Sequence, residues 1–338
     1  MLGVTKRSEE FGDVGLTKRP EPSAGPGNVV LSTAAAGICG TDLHIFRNEY
    51  MVTPPVVIGH EVCGFVESVG VGVDSALIGE RFVAETFFST CGTCRYCRNG
   101  RPNLCLSRKS IGSHVDGAMA PRVEVPLVNL HRPPEGMSDA AASLAEPVAC
   151  VSNSMFGDGA YVEPGDEVLV IGPGTIGLIA AQVARIMGGK VTLRGTERDA
   201  GRMALAEKQG LALSYVGDDL EAERFDVVVE CSGAGSGYAD ALRFTARAGR
   251  VAQMSLSGKE ATLPTDLICY KELRITSGFA STPRSWTRAM RLMHSGQLDL
   301  ENLVSATIPL REWKDGFDRS FAADGVKYVI DPRLDSPA

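Results

Sequence analysis

Ten residues in the middle of the chain, Val168-Leu169-Val170-Ile171-Gly172-Pro173-Gly174-Thr175-Ile176-Gly177, leave it few folds to choose from. A short apolar strand runs into a G-x-G-x-x-G turn. An apolar-faced helix over residues 176–187 follows and stops at Gly188-Gly189, where glycine ends a helix without strain. In such a turn the first glycine makes the bend, the second lets the backbone approach a pyrophosphate, and the third lets helix and strand pack closely. The phosphates then lie on the helix N-terminus, where free N–H groups and the helix dipole favour negative charge.

That pattern is weak alone and strong in context. Further strands are predicted at 191–193, 226–230 and 250–254, and helices at 201–208, 238–246 and 285–295. Repeated βα units imply a parallel sheet covered on both faces. A doubly wound, dinucleotide-binding domain is therefore expected. The residue closing its second strand sorts NAD from NADP. Here Arg194 runs into Gly195-Thr196-Glu197-Arg198-Asp199, so glycine stands where an acid is usual. Glu197 reaching the ribose would favour NAD, whereas Arg194 or Arg198 holding a phosphate would favour NADP. The reading adopted is NAD, with NADP open.

The chain has 338 residues, enough for two domains. Residues 21–90 hold short β-like runs broken by Gly and Pro, and turn signals continue to about Pro134. Ser138–Cys150 reads as an Ala-rich helix with Ser138 as its N-cap. Ser305–Pro332 reads as β again and is expected to return to the first domain.

Cys91, Cys94, Cys97 and Cys105 form the pattern C-x2-C-x2-C-x7-C. Two-residue spacers let a tight turn present successive thiolates to one zinc ion, and four thiolates close its coordination shell. The expected zinc is structural; an iron–sulfur cluster and incidental thiols are the alternatives. A net charge of −7 without a basic patch argues against nucleic acid and anionic membranes. No apolar run reaches the roughly 18–20 residues of a membrane span. The polar first residues do not read as a signal peptide. A cytoplasmic chain with reduced thiols follows, where clustered cysteines mean metal before disulfides.

A catalytic zinc wants three protein ligands and one open position. Cys39 offers a thiolate, His60 an imidazole, and Glu61 or Glu146 a carboxylate. Spacing alone does not separate these from packing residues. His114, His131 and His294, and Cys63, Cys150, Cys231 and Cys269, read as ordinary structural residues.

Taken in order, Gly37-Ile38-Cys39-Gly40-Thr41-Asp42-Leu43-His44, Gly59-His60-Glu61, the four-cysteine lobe, Glu146-Pro147, the Gly172–Gly177 turn and Glu230-Cys231-Ser232-Gly233 span nearly the whole chain. Together they resemble the zinc-containing medium-chain alcohol dehydrogenases, in the branch of sorbitol (polyol) and threonine dehydrogenases. The resemblance implies an α/β plus β fold. A GroES-like β-barrel catalytic domain would occupy residues 1–148, with 280–338 returning to it, and a Rossmann doubly wound parallel sheet would occupy 149–279. It implies Cys39, His60 and either Glu61 or Glu146 at a catalytic zinc, and Cys91, Cys94, Cys97 and Cys105 at a structural one. Thr41 and His44 match a proton relay, with Glu61 a second route. Gly172, Pro173, Gly174, Thr175, Ile176, Gly177, Thr196, Glu197, Arg198, Cys231 and Ser232 match cofactor contacts. The implied reaction moves a hydride between a secondary alcohol and NAD(P) in a homotetramer or homodimer. Phe279-Ala280 lacks the arginine common after that aromatic in polyol enzymes, which points away from sorbitol itself. Asn153 stands where many members have His. The competing readings are a zinc-free quinone or enone reductase on the same fold and a non-catalytic zinc-ribbon binding protein.

Overall fold

The computed structural model describes residues 1–156 and 160–335. The chain forms two compact units. The first holds Met1–Glu146, Ala289–His294 and the segment from Leu300 onward; the second holds Pro147–Arg288 and Ser295–Asp299.

The first unit is β-rich. Its main sheet runs Leu130–His131, Arg81–Ala84, Glu61–Val69, Asn28–Gly37, Lys327–Asp331 and Val304–Pro309, with Arg122–Pro126 also paired to Asn28–Gly37. A smaller sheet orders Val14–Lys18, Leu2–Lys6 and Val56–Val57. Asn28–Gly37 is the hub. Almost all of it is buried, and its closing residues Ala34, Ala35 and Ala36 are small enough to let neighbouring strands close in. Val29, Leu31, Ile58, Val62, Met119, Phe317 and Tyr328 pack into one core beneath it. Burial of each such side chain contributes about 1.5–3 kcal/mol.

The second unit is a six-stranded sheet in the order Ala212–Tyr215, Lys190–Gly195, Glu167–Ile171, Phe225–Glu230, Thr245–Gln253, Arg274–Ser277. Every pairing is parallel. Counted along the chain, the first strand sits between the second and the fourth, so the order reverses beside it. A doubly wound sheet binds its ligand in the crevice at that reversal. The turn after Ile171 lies there.

Several elements differ from the sequence reading. Ser138–Cys150 is two helices, Asp139–Ser143 and Ala145–Met155. Leu144, at φ −74° and ψ 2°, breaks the ladder between them, and Ser138 Oγ caps the first by accepting from Ala141 N at 3.1 Å. The edge strands Ala212–Tyr215 and Arg274–Ser277 carry too little apolar signal to be read from sequence. The segment read as β near the C-terminus contains the helix Trp313–Phe321, which buries Trp313, Gly316 and Phe317. The return to the first unit begins at Ala289 and is continuous only from Leu300, later than residue 280, because the helix Pro283–His294 starts in the second unit.

Candidate metal and dinucleotide sites

In the four-cysteine lobe the sulfurs of Cys91, Cys94, Cys97 and Cys105 all lie within 4.8 Å of one another. Two Sγ–Sγ distances, Cys94–Cys97 and Cys91–Cys105, are 3.6 Å, near the edge of about 3.8 Å that tetrahedral zinc–thiolate geometry requires. Backbone N–H groups point at the sulfurs: Cys94 N donates to Cys91 Sγ at 3.3 Å and Cys97 N to Cys94 Sγ at 3.5 Å. The N–H groups of Cys94 and Thr93 pull the Cys91 thiol down to about 6, while desolvation leads in pushing Cys97 up to about 11. The donors therefore fit one zinc ion.

The second cluster is assembled by the hub strand and its neighbours. Cys39 follows Asn28–Gly37 and is the N-cap of the helix Gly40–Phe46. Glu61 opens the strand Glu61–Val69 directly across from Gly37, and His60 immediately precedes it. The donor atoms of Cys39, His60 and Glu61 lie within 4.8 Å of one another. A Cβ on residue 37 would stand 1.9 Å from Glu61 Oε2, so only glycine there leaves room for the carboxylate. Asp42 is fully buried. Its Oδ2 accepts from Cys39 N at 2.9 Å; its Oδ1 lies 3.7 Å from His60 Nδ1 and has no hydrogen-bond partner among the described residues. A carboxylate facing one ring nitrogen orients the other towards a metal. Burial disfavours the His60 imidazolium, but Asp42 and Cys39 outweigh it and hold its pKa well above the ordinary histidine value. Burial raises the Asp42 pKa in turn.

Glu146 lies outside the grouped donors. It opens Ala145–Met155 and accepts from Thr86 Oγ1 at 2.9 Å. Thr41 and His44 lie on Gly40–Phe46, and His44 Nδ1 meets Glu49 Oε2 at 2.8 Å. Sequence reasoning missed Lys327, whose Nζ reaches Glu61 Oε2 at 2.7 Å and Oε1 at 2.8 Å while 3% of its side chain is exposed. Burial disfavours that ammonium, and Glu61 and Cys39 more than compensate, so its pKa is raised. The available signal was a lone cation heading the run Lys327-Tyr328-Val329-Ile330-Asp331, since a buried charge needs a partner. Thr86 and the role of Asp42 carried no such mark.

In the second unit Gly172 adopts φ +98°, and a Cβ on Gly177 would stand 1.9 Å from Gly172 O. Gly174 begins the helix Thr175–Ile186 with no side-chain cap, which leaves its first turn open towards phosphate. Pro173 and Ile176 complete the turn. A Cβ on Gly172 would also meet Ser232 N at 2.8 Å, so the Cys231-Ser232 segment abuts the glycine turn. Ser232 N donates to Glu230 Oε1 at 2.8 Å, which fixes that segment. These features fit a dinucleotide. Arg194 does not serve as a phosphate holder. It is buried, donates to Ser214 Oγ at 2.8 Å and Tyr215 O at 2.9 Å, and stacks over Phe244. A Cβ at Gly195 would stand 2.7 Å from Met203 Sδ and 3.2 Å from Pro173 Cγ, so a side chain there would have to displace its neighbours. Thr196 is tied to Asp199, and Glu197 and Arg198 are exposed. Asn153 Nδ2 donates to Ala280 O at 3.0 Å. Cys269, expected to pack, is exposed, since it lies on the short surface helix Asp266–Tyr270.

Residues 25–135 match the alcohol dehydrogenase GroES-like domain, and residues 175–295 match the zinc-binding dehydrogenase domain. The D-arabitol-phosphate dehydrogenase of Enterococcus avium is 32% identical, over 98% of this chain and 97% of its own. The sorbitol dehydrogenase of Halalkalibacterium halodurans is 30% identical, over 98% and 99%. Among solved structures, a zinc-binding dehydrogenase of Sinorhizobium meliloti bound to NADP superposes with a TM-score of 0.88 at 30% identity, covering 98% of this chain and 99% of that one. Acetophenone reductase of Geotrichum candidum in complex with NAD gives a TM-score of 0.88 at 26% identity, over 99% and 98%. The chain belongs to the zinc-containing medium-chain alcohol dehydrogenase family and is an NAD(P)-dependent alcohol oxidoreductase.

Proposed function

We propose that the chain interconverts a secondary alcohol and its ketone, with a polyol, sugar-derived or hydroxy-amino compound as substrate. The observation that carries this reading is the convergence of the Cys39 sulfur, the His60 imidazole and the Glu61 carboxylate within 4.8 Å of one another, in a chain that also carries the glycine turn. Cys39, His60 and Glu61 would hold a catalytic zinc, and Cys91, Cys94, Cys97 and Cys105 a structural one. Bound zinc supplies a Lewis acid for the substrate hydroxyl, and bound NAD(P) supplies the hydride acceptor. The protein's own part is positional and protonic. Thr41 Oγ1 accepts the substrate proton and passes it on. With Nδ1 held by Glu49, His44 exchanges it through Nε2. Glu146, steadied by Thr86, lies beside the same cluster and orients further hydroxyls. The D-arabitol-phosphate, sorbitol and L-threonine dehydrogenases among its relatives support a substrate of this class.

The working form we infer is a homo-oligomer in the cytoplasm. The edge strand Arg274–Ser277 leaves backbone groups unpaired beside exposed Ile275 and Tyr270, and a second copy would cover them. None of the nine cysteines is joined in a disulfide, which fits a reducing compartment. No helix among the described residues is long and apolar enough to cross a membrane.

The test is a panel of polyols, sugar alcohols, their phosphates, hydroxy-amino acids and simple diols with NAD and NADP, read by reduced-cofactor absorbance alongside zinc stoichiometry. Cys39→Ala and His60→Ala should abolish turnover while dinucleotide binding survives. Full activity in either variant refutes the assignment.

A further inference from the structure

We infer that Asn153 is a positioning residue for the nicotinamide end of the cofactor: its amide latches the Phe279-Ala280 corner, where the backbone is held against its preference, at the carboxyl edge of the parallel sheet. This rests on reading the glycine turn as the phosphate site.

The order of the sheet decides which end of the cofactor this corner can meet. The pyrophosphate belongs at the turn after Glu167–Ile171, and the ribose-sorting position at the end of its neighbour Lys190–Gly195. The adenosine half therefore lies to that side. The nicotinamide half falls to the other, over the carboxyl ends of Phe225–Glu230, Thr245–Gln253 and Arg274–Ser277. Arg274–Ser277 runs parallel to its neighbour, so the Phe279-Ala280 corner just beyond Ser277 leaves the sheet on the same edge as the glycine turn. Phe279 is an exposed aromatic there, and an aromatic face suits a flat nicotinamide ring.

Ala280 adopts φ +52°. An L-residue resists that angle because its Cβ crowds the backbone, whereas glycine accepts it freely. Such angles persist where the surroundings impose them, and they gather at functional sites. Among the described residues of this unit, three other non-glycine residues share the angle. Glu223 and Glu272 precede the strands they lead into, and Ala248 lies in the bulged start of Thr245–Gln253. Ala280 alone stands at the carboxyl edge.

The side chain that imposes the angle comes from the helix Ala145–Met155. Asn153 Nδ2 donates to Ala280 O at 3.0 Å and to Phe279 O at 3.4 Å. An amide NH2 carries two donors, so one side chain holds both carbonyls of the corner. The stretches on either side are anchored differently. A Cβ on Gly278 would stand 2.4 Å from Ser154 Oγ, so strand exit and helix touch backbone to backbone. Downstream, Ser281 Oγ accepts from the buried Trp286 Nε1 at 3.0 Å, and Thr282 N donates to Ser285 Oγ at 2.9 Å. Between these anchors the corner relies on the Asn153 amide for its shape.

The experiment titrates the full-length protein by calorimetry with NADH and with ADP-ribose, which lacks the nicotinamide. Where NADPH binds more tightly, it and 2′-phospho-ADP-ribose take their place. Asn153→Ala should weaken NADH binding about 3–10-fold, the worth of a lost hydrogen bond, and leave ADP-ribose affinity as in the wild type. Asn153→Leu, which fills the space without a donor, should do the same. Ala280→Gly alone should keep wild-type affinity for both ligands. Added to Asn153→Ala, it should recover most of the NADH loss, because glycine holds the corner's angle without a latch. Unchanged NADH affinity in Asn153→Ala overturns the proposal. Equal losses of NADH and ADP-ribose overturn it as well, since the residue would then serve only the stability of the unit. So does a double variant that recovers nothing. A wild type that binds no ADP-ribose removes the phosphate site from the glycine turn, and the role of Asn153 with it.

Discussion

Asp42 underlies both candidate ligands at once: its Oδ2 accepts the Cys39 N–H at 2.9 Å, and its Oδ1, without a hydrogen-bond partner among the described residues, lies 3.7 Å from His60 Nδ1. A short helix thus starts on one ligand and orients the other. Asp42→Asn keeps the shape and removes the charge that holds the imidazole. Metal affinity at this centre should fall about 10–100-fold while the four-cysteine zinc stays bound. Chelator competition should release one zinc per chain much earlier than in the wild type. Release profiles that match the wild type would show that Asp42 serves only as a helix cap.

The glycine turn offers a second test, confined to the other unit. Gly177→Ala places a methyl 1.9 Å from Gly172 O, in a backbone that cannot yield without moving the turn. Overpacking of this kind costs about 1–3 kcal/mol. NADH and NADPH affinity, followed by calorimetry, should fall at least about tenfold, since the phosphate-facing N–H groups move with the turn. Zinc content should remain as in the wild type. Unchanged dinucleotide affinity would mean that the phosphates bind elsewhere.

How much of this was legible beforehand follows from where each signal lives. The glycine turn and the four-cysteine lobe are local: a few residues of fixed spacing carry the whole geometry, and Gly172–Gly177 and Cys91–Cys105 could be read directly. The Cys39 centre is not local. Its members come from the ends of strands far apart in sequence, and a lone Cys or His at such distances looks like core. The resemblance to a family supplied Cys39, His60, Glu61 and Glu146, but not Lys327 or Thr86, whose roles exist only once strands pair. Arg194 misled for a related reason. Its charge suggested a phosphate, yet the strand alternation turns it into the sheet towards Ser214 and Phe244. Trp313–Phe321 was hidden because its buried residues Trp313, Gly316 and Phe317 are spaced among charges.

The four-cysteine lobe predicts a division of labour between two metals. Cys94→Ala removes one thiolate and with it two sulfur contacts, the 3.6 Å approach to Cys97 and the N–H bond from Cys97 at 3.5 Å. Zinc stoichiometry should drop from two to one per chain, and thermal stability should fall with it, since a structural site adds its binding free energy to folding. NADH binding should persist. A stable variant that still holds two zinc ions would contradict the structural role.

The free thiols differ in a way chemistry can read. Cys63 is buried, and desolvation pushes its thiol up to about 11, so it stays protonated and shielded at neutral pH. Cys269 is exposed. Because the thiolate is the nucleophile, iodoacetamide at pH 8 should alkylate Cys269 within minutes and leave Cys63 intact until the protein unfolds. Peptide mass mapping of the native protein decides it, and early labelling of Cys63 would contradict its burial.

Lys271 gives a test of stability against pH. It is buried, and its Nζ donates to Arg243 O at 2.9 Å and Thr245 O at 2.7 Å. A neutral amine has two N–H groups, which match two carbonyls, so the site does not require the charge. Desolvation leads in lowering the Lys271 pKa below 10.5; the nearby Glu223 opposes it and Arg247 reinforces it. Between the lowered folded value and the unfolded value the unfolded chain binds more protons, so stability contributed by this group rises with pH across that window. Below the folded value both states are protonated and the contribution is constant. Lys271→Met leaves two buried carbonyls without donors and should cost about 1–3 kcal/mol at neutral pH. The gap between wild type and variant, measured by urea unfolding, should widen as the pH rises towards the unfolded value of 10.5. A gap that narrows over that range would mean that the charged ammonium, held by Glu223, is what the fold selects.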